Sequence, residues 1–560
     1  MSINIFVKSI GKITLTDKEY VAAGGEAVVY KKSNIAYKIY HDPNKMIPVQ
    51  KIQELQVITP KNVLKPLDVI QDGHKTVGYV MSFISNTNPI CKLFTKSFRE
   101  KNSLTPKDIT EMIKLMQLTI DQIHKDGCLI VDLNELNLLA SQKFDNVYFI
   151  DVDSYQTPHY KATAIMESIR DPKVKSNKFT QDSDWFSFAV IATQLYIGIH
   201  PYKGRHPDYK PNEWAQRMKD GVSIFDPKVS LPPTCYDMSV IPKSHMNWLR
   251  EIFVKNNRMN PPLPDATIVV VPVTKYKVVQ STGDFDVKLI WDLMHPIFYS
   301  YHFIGCDFVV CKDHIYCDQK NYRTYSSKDT KVGICDSGDE YFPALAMYKD
   351  DKLKFLVPQD IEIGELDCDD FMMRNGCIYS IYKGTMTECS VDKMGNRYLL
   401  KTRLSCNTSE LSTKVFDGVV FQDLLGKCYI TLPFEIGRCA FNPIKELDGY
   451  RILDAKSERN IVVVIAEKKS IYYRFIFTFD KSYMNYTYRK VDDVSYTGVN
   501  FTVKPNGVCI MTTDSETEIF KDNHIKKITN SPFDSTNRLF NRNGDIFFIA
   551  HDRIYSVRTK

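Results

Sequence analysis

The chain has 560 residues, 43% of them hydrophobic, with 73 Lys+Arg against 67 Asp+Glu and 14 cysteines. That length implies more than one domain, and a surplus of six positive charges without a dense Lys/Arg run is too small to argue for nucleic-acid binding. No apolar stretch reaches about eighteen residues, so no spanning helix is expected, and the N-terminus lacks the features of a secretion signal. A cytoplasmic location follows, or carriage in a virion and delivery to a host cytoplasm.

The first elements read as strands. Glu19 to Tyr30 is a strand, a Gly24-Gly25 turn and a second strand, and glycine lets a backbone pass close to phosphate oxygens. Ile35-Ala36-Tyr37-Lys38-Ile39-Tyr40 alternates, so Lys38 faces opposite to Tyr37. Val49 to Ile58 reads as a short helix offering Glu54 as a partner for Lys38. Gly78-Tyr79-Val80-Met81-Ser82-Phe83-Ile84 is a further strand.

A long helix follows, with Thr105 as cap, Pro106 in the first turn and a glycine stop at Gly127. Ile109, Met112, Ile113, Met116, Ile120 and Ile123 form its buried stripe. Beyond it, Asp132 and Asn137 stand five residues apart, and the apolar strand Val147-Tyr148-Phe149-Ile150 leads to Asp151 and Asp153. A carboxylate, an amide five positions on and a second carboxylate at a strand end suit phosphoryl transfer. The first can orient a hydroxyl, and the other two can hold metal against nucleotide phosphates.

Together these motifs resemble the Hanks-type, eukaryotic-like protein kinases, in a divergent bacterial or bacteriophage form. Ala22 to Tyr30 is similar to the glycine-rich loop, with Ala22 and Ala27 where the first and third glycines usually stand, and Ala36-Tyr37-Lys38 to the Ala-x-Lys strand. The resemblance implies a bilobal α+β domain over residues 1–265, with a small lobe at 1–84 and a large lobe at 85–265. It implies ATP and Mg²⁺ as cofactors. Asp132, Lys38, Asn137 and Asp151 would be catalytic, and Asn137 and Asp151 the metal ligands. Gly24, Gly25, Lys38, Glu54, Met81, Ser82 and Phe83 would form the nucleotide site, Met81 as gatekeeper. Gln181 to Gly198 is similar to the helix whose buried aspartate, here Asp184, anchors the catalytic loop; helix capping is its other reading.

Departures qualify the resemblance. Ile130 and Val131 replace the His and Arg before the catalytic aspartate, Asn134 replaces a lysine, and Asp153 replaces the glycine of Asp-Phe-Gly. Ala-Pro-Glu is missing, Asp171-Pro172 being the nearest match, so a glutamate pairing with Arg258 cannot be carried over. The leading expectation is a protein serine/threonine kinase; a pseudokinase scaffold and a small-molecule kinase are the alternatives.

Residues 256–265 are rich in Pro and Asn, marking a boundary, with a linker expected over 266–285 and an all-β domain over 286–560. Turn-plus-strand runs start at 305, 351, 375, 417, 459, 506 and 543. Most of these intervals match a propeller blade of roughly forty to fifty residues, but that from 351 to 375 is too short. A β-propeller of six or seven blades is expected, for recruiting a protein substrate or partner, with a β-sandwich pair as the alternative. The charge surplus lies wholly before residue 266, with 34 Lys+Arg against 28 Asp+Glu there and 39 against 39 after. Cys306, Cys311 and Cys317 lack metal-site spacing and are expected to be free thiols.

Overall fold

The computed structural model describes residues 2–162, 165–210, 212–264, 281–303, 306–311, 314–318, 320–324, 331–335, 344–357, 361–435, 437–469, 471–495, 498–513, 516–521 and 524–560. The chain forms two compact units, to within a few residues 1–275 and 276–560. Among the described residues no helix is long and apolar enough to cross a membrane.

The first unit is α+β. Seven strands, β1 (Ser2–Val7), β2 (Gly11–Thr16), β3 (Tyr20–Ala23), β4 (Ala27–Lys32), β5 (Ile35–Tyr40), β6 (Asp68–Asp72) and β7 (Lys75–Ser82), make one antiparallel sheet in the order β2-β1-β6-β7-β5-β4-β3. Alternation sends Val7, Leu15, Tyr20, Tyr37, Ile70 and Val80 to one buried face. The other face receives helix α1 (Val49–Glu54), whose Ile52 packs with Ala27, Tyr40 and Tyr79. Gly78 is required between β5 and β7, because a Cβ there would lie 2.0 Å from the Lys38 carbonyl oxygen.

A second sheet joins β8 (Thr87–Pro89), β9 (Leu138–Ser141) and β10 (Val147–Phe149) in the order β10-β9-β8. Around it lie α2 (Lys96–Lys101), α3 (Pro106–Lys125), α4 (Gln181–Ile197), α5 (Trp214–Asp220) and α6 (Lys243–Phe253). On α3 the expected cap and stripe are present: Thr105 and Asp108 form a capping box, and Ile109, Met112, Ile113, Met116, Ile120 and Ile123 are buried. Helix α4 is apolar almost all round, which marks a helix enclosed by protein. The Pro- and Asn-rich stretch packs on these helices before leaving the unit. Gln117 donates to the Pro261 carbonyl at 2.9 Å and Trp248 Nε1 to that of Met259 at 3.0 Å. The expected linker lies mostly outside the described residues, and strand structure resumes at Phe285, one residue before the boundary read from sequence.

The second unit is all-β. Its described strands form seven four-stranded antiparallel sheets. Six are built from consecutive strands, spanning 297–324, 331–367, 370–407, 413–443, 451–491 and 501–528. The seventh sets Phe285–Asp292 beside Arg553–Thr559, followed by Asp545–Ala550 and Arg538–Arg542, so both ends of the unit share one sheet. Apolar cores lie between sheets consecutive in sequence: Phe308 and Ile315 meet Ile334 and Leu345, and Phe421 and Ile430 meet Val462 and Phe477. The seventh sheet packs in turn on the first, through Trp291 and Phe547 against Ile297 and Val309.

This arrangement explains the short interval in the sequence pattern. Five of the seven runs are the second strand of a sheet in chain order and the run at 543 is the middle one of the three C-terminal strands of the seventh sheet, whereas the run at 351 is the third of four consecutive strands, Lys352–Val357. The second strand of that sheet is Ala344–Lys349. Cys311 and Cys317 are buried in strands, as expected; the side chain of Cys306 lies outside the described residues.

Candidate active site

Lys38 reaches the site by strand alternation. It shares a face of β5 with Tyr40 and lies opposite Tyr79 of β7. Its Nζ is 2.9 Å from Asp151 Oδ1 and 2.8 Å from Asp153 Oδ2, across more than a hundred residues of sequence. Both carboxylates follow β10, where Asp151 adopts φ 59° and opens the short turn Val152–Ser154. An aspartate tolerates that left-handed backbone better than most residues. Tyr40 donates its hydroxyl to Asp153 Oδ2 at 2.6 Å, and Lys51 of α1 donates to the Asp153 carbonyl at 2.6 Å.

The charges are tuned by this packing. Burial opposes the Lys38 ammonium, but Tyr79, Asp153 and Asp151 hold its pKa well above the usual value. Burial alone would raise Asp153; Lys38, Tyr40 and Tyr79 outweigh it and bring the carboxyl down to about 2. Asp151 is pushed upward by withdrawal from water and by repulsion from Asp153, against the pull of Lys38. Its side chain is still 43% exposed, which limits the first effect and leaves the repulsion as the lasting one.

Asp132 lies in the loop after α3. Its Oδ1 accepts from the Met166 backbone N–H at 2.8 Å and its Oδ2 from Asn134 Nδ2 at 3.0 Å. Burial raises its pKa. Asn137 Nδ2 donates to the Asp132 carbonyl at 3.1 Å, so the amide oxygen is turned the other way, and the Ile150 N–H donates to the Asn137 carbonyl at 2.9 Å, next to Asp151. Asn134, noted in the sequence as a missing lysine, has a structural use: its Oδ1 accepts from the N–H groups of Leu136 and Asn137.

Asp184 supports this loop from below. Its Oδ1 accepts from the Val131 N–H and its Oδ2 from the Ile130 N–H, both at 2.8 Å, while His124 Nε2 lies 2.9 Å from Oδ2. Val131 is held at φ 64°, a backbone that a β-branched residue adopts at a cost of about 1–3 kcal/mol. Asp184 therefore fixes the loop rather than merely capping α4. Arg258 forks onto Asp171 with two bonds of 2.6 Å. The arginine pairing thought not to carry over is thus present, with an aspartate as acceptor.

One other expectation is corrected. Glu54 does not pair with Lys38: its carboxylate lies 2.7 Å from His159 Nδ1 and accepts from the His159 N–H at 3.3 Å. α1 turns Lys51, not Glu54, toward the site. In the segment expected to meet adenine, the Phe83 N–H is already engaged by the Asn34 carbonyl at 2.9 Å, Ser82 is exposed and Met81 half-buried. Gly24 and Gly25 form a tight β3–β4 turn, Gly24 N–H donating to the Ala27 carbonyl at 2.8 Å, and the space beside Gly25 is open.

Among the described residues no group of three or more His, Cys, Asp or Glu side chains forms a ready metal cage. Mg²⁺ carried on nucleotide phosphates would require only one or two protein oxygens, and the Asn137 amide oxygen and the Asp151 carboxylate are hard-oxygen donors of the kind that would hold it. Sequence reasoning missed Tyr40, Tyr79 and Lys51. The two-residue alternation of β5 was the signal for Tyr40. No protein-family model matches the chain, and no curated protein matches it in sequence.

Proposed function

We propose that the first unit is a protein-kinase-like phosphotransferase, using ATP and Mg²⁺ and acting most readily on a serine or threonine hydroxyl of a protein. The observation that carries this reading is the meeting of Lys38 with Asp151 beside the hydrogen-bonded pair Asp132 and Asn137. In the reaction the acceptor oxygen forms a bond to the γ-phosphorus while the bond to the ADP oxygen breaks. Asp132 orients the hydroxyl and takes its proton, Lys38 holds the α and β phosphates, and Asn137 and Asp151 hold the metal. Bound Mg²⁺ supplies neutralisation of the phosphate charge. The Asp184 anchor and the Arg258–Asp171 fork support a kinase-like frame around the loop.

The second unit is read as a seven-bladed β-propeller that recruits the protein substrate or partner. Seven four-stranded sheets, each packed on the next and the last on the first, support it. Arg538 of the seventh sheet lies 3.3 Å from the Phe298 carbonyl of the first sheet and 3.5 Å from Asp417, as strands around a common axis would allow. Recruitment itself is an analogy from architecture.

One observation favours a scaffold instead: both Asp132 oxygens are engaged, one by the Met166 backbone. The test is incubation of the full chain with Mg²⁺, γ-labelled ATP and a generic protein acceptor, with Asp151→Ala as control. Label on the chain or acceptor, lost in the variant, is the expected result. No label and no thermal shift with Mg·ATP selects the scaffold, and turnover only after metabolites are added selects a small-molecule kinase.

A further inference from the structure

We infer that Asp153, fastened by Lys51 and Tyr40, is the residue that positions Lys38, in place of a glutamate on α1; this rests on the phosphotransferase reading above. Glu54 occupies the sequence position for that task, yet it faces His159 at the outer side of α1. Asp153 takes its place from the other wall of the site. Three donors from β5 and α1 converge on it: Lys38 Nζ and the Tyr40 hydroxyl on Oδ2, at 2.8 and 2.6 Å, and Lys51 Nζ on the carbonyl, at 2.6 Å. A residue held at both side chain and backbone presents its carboxylate in one direction, as a positioning group must.

Burial separates the two aspartates that share Lys38. The Asp153 side chain is 8% exposed and that of Asp151 43%. The open carboxylate faces solvent, as a ligand to a metal carried on phosphates would. The enclosed one has its Oδ2 committed to two protein donors, which suits an anchor. Were Asp151 to engage a bound metal, Asp153 would still hold Lys38 in place. A glycine at 153, as in Asp-Phe-Gly, would leave the lysine without its buried partner.

The test uses the full chain and two readouts. The first is independent of activity: acetylation of Lys38 by a water-soluble N-hydroxysuccinimide ester, followed by mass spectrometry. Asp153→Asn is expected to acetylate Lys38 about tenfold faster than the wild type, and Tyr40→Phe severalfold faster, since a hydrogen bond to a charged group is lost. Glu54→Gln is expected to match the wild type. The second readout is phosphoryl transfer, where Asp153→Asn lowers kcat about a hundredfold, Tyr40→Phe lowers it less and Glu54→Gln leaves it unchanged. Tyr40→Phe keeps the charge pattern, so it decides the matter should Asp153→Asn fail to fold. The proposal is overturned if Glu54→Gln exposes Lys38 as much as the Asp153 or Tyr40 variants do, or if Tyr40→Phe changes neither readout. A wild type with no transfer, but with Lys38 protection that depends on Asp153, removes the kinase reading and leaves the anchor standing.

Discussion

At the residue scale, two carboxylates compete for one ammonium, and the enclosed one wins. Asp153 is held at about 2 against an ordinary value of 3.8, so its contribution to stability is complete above about pH 5 and is lost as pH falls from about 4 through about 2. Asparagine at this position does not titrate. The stability gap between wild type and Asp153→Asn is therefore expected to narrow by about 2 kcal/mol from about pH 5 to about pH 2, measured by urea unfolding at stepped pH. Asp132, Asn137 and Asp151 were readable in the sequence because local spacing and one short hairpin bring them together. The Lys38–Glu54 pair was misread because α1 has only six residues, too few for periodicity to fix which side faces in. Lys51 and Glu54 differ by three positions, and packing of Ile52 against Tyr40 and Tyr79 selects between them.

At the element scale, the site depends on how closely β5 lies beside β7. Gly78 pairs with Ile39, and a methyl group there would sit 2.0 Å from the Lys38 carbonyl oxygen. Gly78→Ala is expected to destabilise the first unit by about 1–3 kcal/mol and to lower phosphoryl transfer as well, because the displaced strand carries Lys38. Urea unfolding and an activity assay on the same sample check both. The α3 stripe was legible, since six apolar residues at helical spacing have one solution in water. The β1–β2 hairpin was not: Ser2–Val7 carries no turn signature of its own role, and it joins the sheet only through a short pairing with β6.

At the scale of the whole molecule, the second unit depends on its last strand. Ile554 enters one core, and Tyr555 and Val557 another. Deleting residues 552–560 removes them all, a loss of about 6 kcal/mol at about 2 kcal/mol for each buried side chain. The calorimetric transition of the second unit is expected to fall by more than about 10 °C or to disappear, while that of the first unit stays. Strand repetition was legible because turn-plus-strand runs recur with the sheets. Sheet membership was not, since the pairing of Phe285–Asp292 with Arg553–Thr559 spans nearly the whole unit and leaves no local trace.

The Lys560 N–H donates to the Asp284 carbonyl at 3.0 Å, so the two extremities of the β unit are neighbours. A few residues of linker would join them, and new termini opened at an exposed hairpin tip such as Gly395-Asn396 would leave every sheet with its four strands. Circular rearrangement of the gene segment is thus compatible with the same set of cores, and the order in which the chain visits its sheets is one choice among several that this packing tolerates.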